Sequence, residues 1–391
     1  STVQRMLDIQ ANTYAEEWVL RRHDAHAGCP TDVLSLEGHR LTLDYVVVND
    51  HPIFIDFSLS WSVCYVTFLR LNSLMKMRLC NIKSDTLHGP VDDGPNATIM
   101  SLILQPGQHK DDSARPNRDQ TNNNRNKPKG KKGPMAYRKR VVGMFRHKNF
   151  LQYATGAIAR KLFDVLWMND DIDFFDPGDG AIPLWQKVKL IDKWGSQQAA
   201  YNCYKKILRK CGVETSKVTT LPTSGMEGAS SRGELPADEL ATMLKHRGER
   251  IFECYVTELF KPVMRVIAGF KKDDFYFVAR TEVEPPFSGD EMTQMVFPNW
   301  NRWKTQQASD DGDHDLSAVN FLYVTLPFLA RVILQDGPYW LKKYPKHEYT
   351  EFLYGANTFS PDRARKYEQW SRTAVALATE KDNTWLLSTS D

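Results

Sequence analysis

The sequence predicts a mainly α-helical protein with a small β-sheet or hairpin. Three observations carry that expectation. Two stretches, 153–168 and 196–213, are amphipathic with helical spacing. A third, 55–82, is mostly apolar, contains no Gly or Pro, and is too long for a strand. Only short segments, chiefly "ATIMSLILQPG" and "VVGMF", combine β-branched residues with strand and turn signals.

In order along the chain, residues 1–28 carry one amphipathic helical pattern that ends near Gly28 and Pro30. "RLTLDYVVVND" (40–50) alternates in part and is rich in valine, so it is expected to form a short strand. Residues 55–82 are expected to form one or two buried helices. The strand at 97–107 ends on Pro-Gly, and 141–145 is read as its returning hairpin partner. Between them lies "QHKDDSARPNRDQTNNNRNKPKGKKGPMAYRKR", in which Asn, Pro, Gly and Lys dominate and nothing apolar repeats. It reads as a flexible basic insertion over about 108–137. The helix at 196–213 is stopped by Gly212. "PADELATMLKH" (236–246) opens like another, with Pro in its first turn and acids after it. Aromatic helical pieces follow at 317–337 and 361–381. The expected organisation is an N-terminal helical segment (1–50), a central domain (51–265) and a C-terminal helical extension (266–391).

The 391 residues, 41% of them hydrophobic and 11% aromatic, describe globular material with sizeable cores. No run of 18 apolar residues occurs, so no membrane span is expected. The six cysteines form no C-x-x-C pair and read as reduced thiols; neither a structural metal nor a cofactor is expected.

The net charge of +3 hides an uneven distribution. Thirteen Lys/Arg face three Asp between Gly107 and Lys148, which leaves the rest of the chain net negative. One strongly basic segment on an acidic body suggests a polyanion met at a local site. The candidate contacts there are Lys110, Lys127, Lys129, Lys131, Lys132, Arg138, Lys139, Arg140, Arg146 and Lys148. A solvated surface run explains such a charge pattern equally well in isolation. Its place between two strands favours a hairpin that reaches toward phosphates. In "YKKILRKCG" (204–212), Lys205 and Arg209 share a helix face and form a second basic group. Lys217 and Arg247 complete the candidate set.

A further set of residues resembles a known family. "VTFLRLNSLMKMRLCNI" (66–82) resembles the first box of the tyrosine recombinases, a helix with a buried arginine, and Arg70 falls at its catalytic position. "LKHRGERIFECY" (244–255) is similar to the last box: His246 falls at the histidine/tryptophan position, and Tyr255 falls nine residues on at that of the nucleophile. "FRHKNFLQYATGAIARKLF" (145–163), "MVFPNWNRW" (295–303), "FLARVILQDGPYW" (328–340) and "YPKH" (344–347) resemble more closely a fungal group. That group comprises the Crypton-type recombinases and the large DNA-binding subunit of the budding-yeast centromere-binding complex.

The resemblance implies a recombinase-like catalytic-domain fold in degenerate form. The family's second box is His-x-x-Arg, but Thr220 and Thr223 stand in those places. The hairpin lysine follows a glycine in the family; here Gln108 follows Gly107 and Lys110 comes two residues later. Phosphoryl transfer needs fixed positive groups on the phosphate, and losing one such donor costs about 10²–10³ in rate. Tyr255 would therefore face an unactivated phosphate. Arg70, Thr220, Thr223, His246 and Tyr255 are accordingly read as vestigial positions, and the protein as no enzyme.

The implied function is non-catalytic, largely sequence-independent binding of double-stranded DNA at the centromere, in the nucleus. The resemblance also implies a homodimeric inner-kinetochore scaffold that meets other subunits of the complex and a chaperone of the centromeric histone. Two readings stay open beside it: an active Crypton-like recombinase or transposase, and a protein scaffold with an incidental basic loop.

Overall fold

The computed structural model describes residues 34, 36–49, 53–87, 97–104, 140–167, 175, 183–213, 224–225, 261–272, 274–308, 316–355 and 358–388. They are mostly helical, with one small antiparallel sheet. The helical patterns expected at 1–28 and 236–246, and the insertion, fall outside this set.

Helix α1 (Leu36–Val48) occupies the segment expected to be a strand. Its valines suit a strand, but the buried positions His39, Leu43, Val46 and Val47 recur at helical spacing. Packing of that face overrides a weak β propensity. Helix α2 (Phe54–Thr67) is buried along nearly its whole length, as the apolar run predicts. It ends at Phe68, whose φ of 58° is the one positive value at a non-glycine among the described residues. A short helix α3 (Leu71–Leu74) and a single 3₁₀ turn at Leu79–Asn81 follow.

The sheet has three strands in the order β1 (Ile82–Leu87), β2 (Ala97–Leu104), β3 (Arg140–Met144). Strands β2 and β3 form the expected antiparallel pair, with Leu104 opposite Arg140. Strand β1 was not expected from the sequence; only Ile82 falls within the run read as helical. Its sequence IKSDTL offers apolar residues only at its ends, so no alternation announces it. It is held by β2 on one side. On the other, Ser84 N donates to Thr325 Oγ1 (3.0 Å) and Asn320 Nδ2 donates to Ser84 O (3.2 Å).

Helix α4 (Ala154–Trp167) packs on α2, and a short helix α5 (Leu184–Lys187) precedes α6 (Gln197–Lys210). The later helices are α7 (Lys261–Ile267), α8 (Gly289–Val296), α9 (Trp300–Ala308), α10 (Leu316–Lys343), α11 (Glu348–Leu353) and α12 (Pro361–Ser388). Helix α10 contains a π-helical stretch at Phe321–Thr325, and this departure from regular winding is the part that meets β1. By length and composition α10 could cross a membrane, but half of its most apolar stretch is buried in the protein. It packs against α4, α8 and α12 and carries the buried polar pair Gln335 and Asp336, as a central core helix does.

The largest hydrophobic core runs from Leu34 to Tyr367, with two smaller clusters beside it, one around Phe145 and Tyr276 and one around Val283 and Ala374. It draws on all three segments expected from the sequence, so α10 completes the packing of α2 and α4 and does not simply append to it. Aromatic rings dominate its centre: Trp340 lies 5.8 Å from Phe54, 5.7 Å from Phe150 and 5.1 Å from Tyr349. The described cysteines Cys64, Cys80, Cys203 and Cys211 are free thiols.

Candidate nucleic-acid interface

Helix α6 is the clearest basic element among the described residues. Ser196 caps it, its Oγ accepting from Ala199 N at 3.2 Å. Gly212, at φ 69°, follows its end. Ala200, Tyr204, Ile207 and Leu208 bury one face; Tyr204 meets Trp61 and Trp194 edge-on. The opposite face exposes Lys205, Lys206, Arg209 and Lys210. Arg209 and Lys210 also lie in the last turn, where cations oppose the partial negative charge of the helix end.

Lys148 is exposed after β3, with its Nζ 4.4 Å from the centre of the Phe270 ring. Its main chain is fixed from two sides. Lys148 N donates to Ala268 O (3.0 Å), and Arg280 Nη1 donates to Lys148 O (2.9 Å). A cation on such a fixed backbone loses less entropy when it meets a phosphate.

Arg146, grouped with Lys148 from the sequence, lies elsewhere. Only 3% of its side chain is exposed. Its Nη2 donates to Asp336 Oδ1 (3.0 Å) and its Nη1 to Gln335 Oε1. Arg280 Nε donates to the same Asp336 oxygen (2.9 Å), and the Tyr153 hydroxyl donates to Oδ2. Burial alone would lower Arg280, but the Asp336 carboxylate holds it above its ordinary value. Burial, with Asp336 alongside, pushes the Tyr153 hydroxyl well up. Arg146 is therefore a member of a buried ion network and is not available to a phosphate. The sequence could not show this, because its partner lies 190 residues away.

Arg70 also departs from expectation. The resemblance places a buried arginine there, whereas Arg70 is exposed on the extended residue that precedes α3. The left-handed turn at Phe68 ends α2 and carries the chain out to the surface. Ser224 and Gly225 pack where α2 ends. Ser224 Oγ accepts from Leu34 N (2.9 Å), and the Tyr65 carbonyl leaves no room for a side-chain carbon at Gly225.

Lys110, Lys127, Lys129, Lys131, Lys132, Arg138, Lys139, Lys217, Thr220, Thr223, His246, Arg247 and Tyr255 lie outside the described residues, and Arg140 is described by its backbone alone. The surface between Met77 and Leu190 was missed by sequence reasoning. Leu79 N donates to Val188 O and Leu190 N to Met77 O, both at 3.0 Å, which sets Arg78 opposite Lys189. Lys76, Arg78, Lys187 and Lys189 are all exposed there.

Residues 163–359, just over half of the chain, match the family model of the centromere DNA-binding protein complex CBF3 subunit, domain 2. The chain belongs to this family. A search of curated proteins finds no match. Membership of the CBF3 subunit family makes the chain a centromere DNA-binding complex protein, which suggests a structural role and not an enzymatic one. It implies other subunits of that complex and DNA as partners, with the nucleus and the centromere as location. The match includes α6 and α10, and so both the basic helix and the central core helix.

Proposed function

We propose that this CBF3-family chain binds double-stranded DNA without catalysis and largely without reading sequence, as part of a homodimeric inner-kinetochore scaffold. The observation that carries the reading is the exposed basic face of α6 inside the segment that matches a centromere DNA-binding family. Lys205, Arg209 and Lys148 supply phosphate contacts from ordered backbone; Arg140, Lys110, Lys127, Lys129, Lys131, Lys132, Arg138 and Lys139 supply them from the hairpin and its insertion, and Lys217 and Arg247 extend the surface. Arg146 is not part of this set. The degenerate recombinase relation is retained in the proposal: Arg70 stands two residues beyond the turn at Phe68, which the pair Ser224–Gly225 adjoins, immediately after Thr223. The companion subunits and the centromeric histone chaperone belong to the same reading through the family resemblance.

The experiment is a salt titration of the full chain on two unrelated duplexes. The logarithm of affinity should fall with log salt by about 0.9 per phosphate contact. Replacing both Lys205 and Arg209 by alanine should lower that slope by up to about two units, equally on both duplexes. A loss confined to one duplex would show base reading instead, and an unchanged slope would place the DNA path off α6.

Catalysis is tested separately. Tyr255→Phe should leave DNA affinity unchanged, and nicked or suicide substrates should yield no covalent adduct. A tyrosine-linked DNA product that disappears in Tyr255→Phe would restore the recombinase reading.

A further inference from the structure

The bridge between Met77–Leu79 and Val188–Leu190 contains an unfavourable arrangement. The two hydrogen bonds that flank it make Arg78 and Lys189 a non-hydrogen-bonded antiparallel pair. In such a pair the Cα atoms are about 4.5 Å apart and the side chains leave on the same face. Like charges placed directly opposite in this way destabilise a sheet. Lys187 adds a third exposed cation two residues from Lys189. No carboxylate pairs with Arg78, Lys187 or Lys189 among the described residues; the nearby Asp192 instead pairs with Lys161 at 3.0 Å.

The backbone under these charges is fixed. Arg78 N donates to Asn81 Oδ1 (2.8 Å), and Arg78 Nη1 donates to Gln186 O (3.1 Å), which holds the guanidinium in place. Asn81 Nδ2 donates to Ile103 O (2.9 Å). That contact joins the bridge to the end of β2, next to Leu104 and its cross-strand partner Arg140, where the basic insertion leaves and re-enters the sheet. The cluster therefore adjoins the strand ends between which the basic insertion runs in the sequence.

We infer that Arg78, Lys187 and Lys189 form a preorganised phosphate-binding cluster at the root of the basic hairpin, which takes the sugar-phosphate backbone of duplex DNA. The inference rests on the DNA-binding reading and adds to it a site on different elements from α6. It accounts for the repulsive pair, because a phosphate between the two cations turns a cost in the free protein into attraction in the complex. A fixed backbone makes each contact cheaper in entropy than one on a long loop. The cluster carries no base-reading geometry, so it should act alike on all duplexes.

Lys189→Glu tests it with two readouts of opposite sign. In the free chain the substitution puts a carboxylate opposite Arg78, so the thermal midpoint should rise or hold. In the salt titration the slope should fall by about one unit, with at least a roughly tenfold loss of duplex affinity near 0.1 M salt. Lys189→Gln, which removes charge and keeps length, should show the same direction with a smaller loss. If Lys189→Glu lowers the midpoint, the Lys189→Gln titration decides the matter alone. An unaltered slope in Lys189→Gln, while the unaltered chain binds in the same titration, would overturn the cluster and leave the α6 reading standing. Failure of the unaltered chain to bind any duplex would overturn both. A loss on one duplex alone would show base reading and overturn the backbone assignment.

Discussion

Asp336→Ala should cost the fold about 3–5 kcal/mol, the penalty for leaving a buried charge without its partner. Asp336 is 2% exposed and accepts from Arg146, Arg280 and Tyr153 at once. Its removal leaves two guanidinium groups inside the protein with no counter-charge. Gln335 cannot replace it: its carbonyl already accepts from Arg146, and its amide donates to Thr281 O (3.0 Å). Arg280 would meanwhile keep its donations to His147 O and Lys148 O, contacts that order the chain just after β3. The loss should appear as a lower urea midpoint with the denaturant slope unchanged. Asp336→Asn, which keeps the shape but not the charge, should fall between the two. A midpoint for Asp336→Ala equal to that of the unaltered chain would mean that the network adds nothing to stability. Arg146→Ala should likewise act on stability, and so cannot serve as a clean probe of DNA contact.

The network also marks where sequence reading stops. Helices α4 and α6 were legible from their apolar periodicity, and α10 and α12 as long aromatic pieces. The β2–β3 pair was legible because β-branched runs flank a turn-rich segment. Helix α1 was misread because its valines satisfy two periods at once; His39, Leu43, Val46 and Val47 follow the helical one, but local propensity pointed to a strand. Strand β1 was invisible because an edge strand tied by Asn320 and Thr325 needs few apolar residues of its own. Helix α6 could be identified as a basic face because all its cations lie within one continuous segment. The fate of Arg146 and the pairing of Arg78 with Lys189 depend on partners far apart in the chain, and no local charge count distinguishes a buried cation from an exposed one.

A second large effect is expected on acidification, and His39 is its source. The ring is 1% exposed, stacked 4.0 Å from Tyr65 and in line with Trp61 at 6.1 Å. Neither ring nitrogen has a hydrogen-bond partner among the described residues. Burial, and secondarily the charge of His147, holds its pKa down at about 3, against an ordinary 6.5. A histidine depressed in the folded state binds its proton more readily when unfolded. Its contribution is therefore intact above pH 6.5 and is lost as the pH falls from there toward 3. Between pH 7 and pH 5 the loss should be about 2 kcal/mol, in a range where ordinary carboxylates have scarcely begun to titrate. His39→Phe keeps a flat ring between Trp61 and Tyr65 and removes the two unsatisfied nitrogens, so its stability at pH 7 should be equal or higher. Urea midpoints of both proteins at the two pH values test this. The unaltered chain should weaken on acidification far more than His39→Phe; an equal fall in both would assign the pH dependence to other groups.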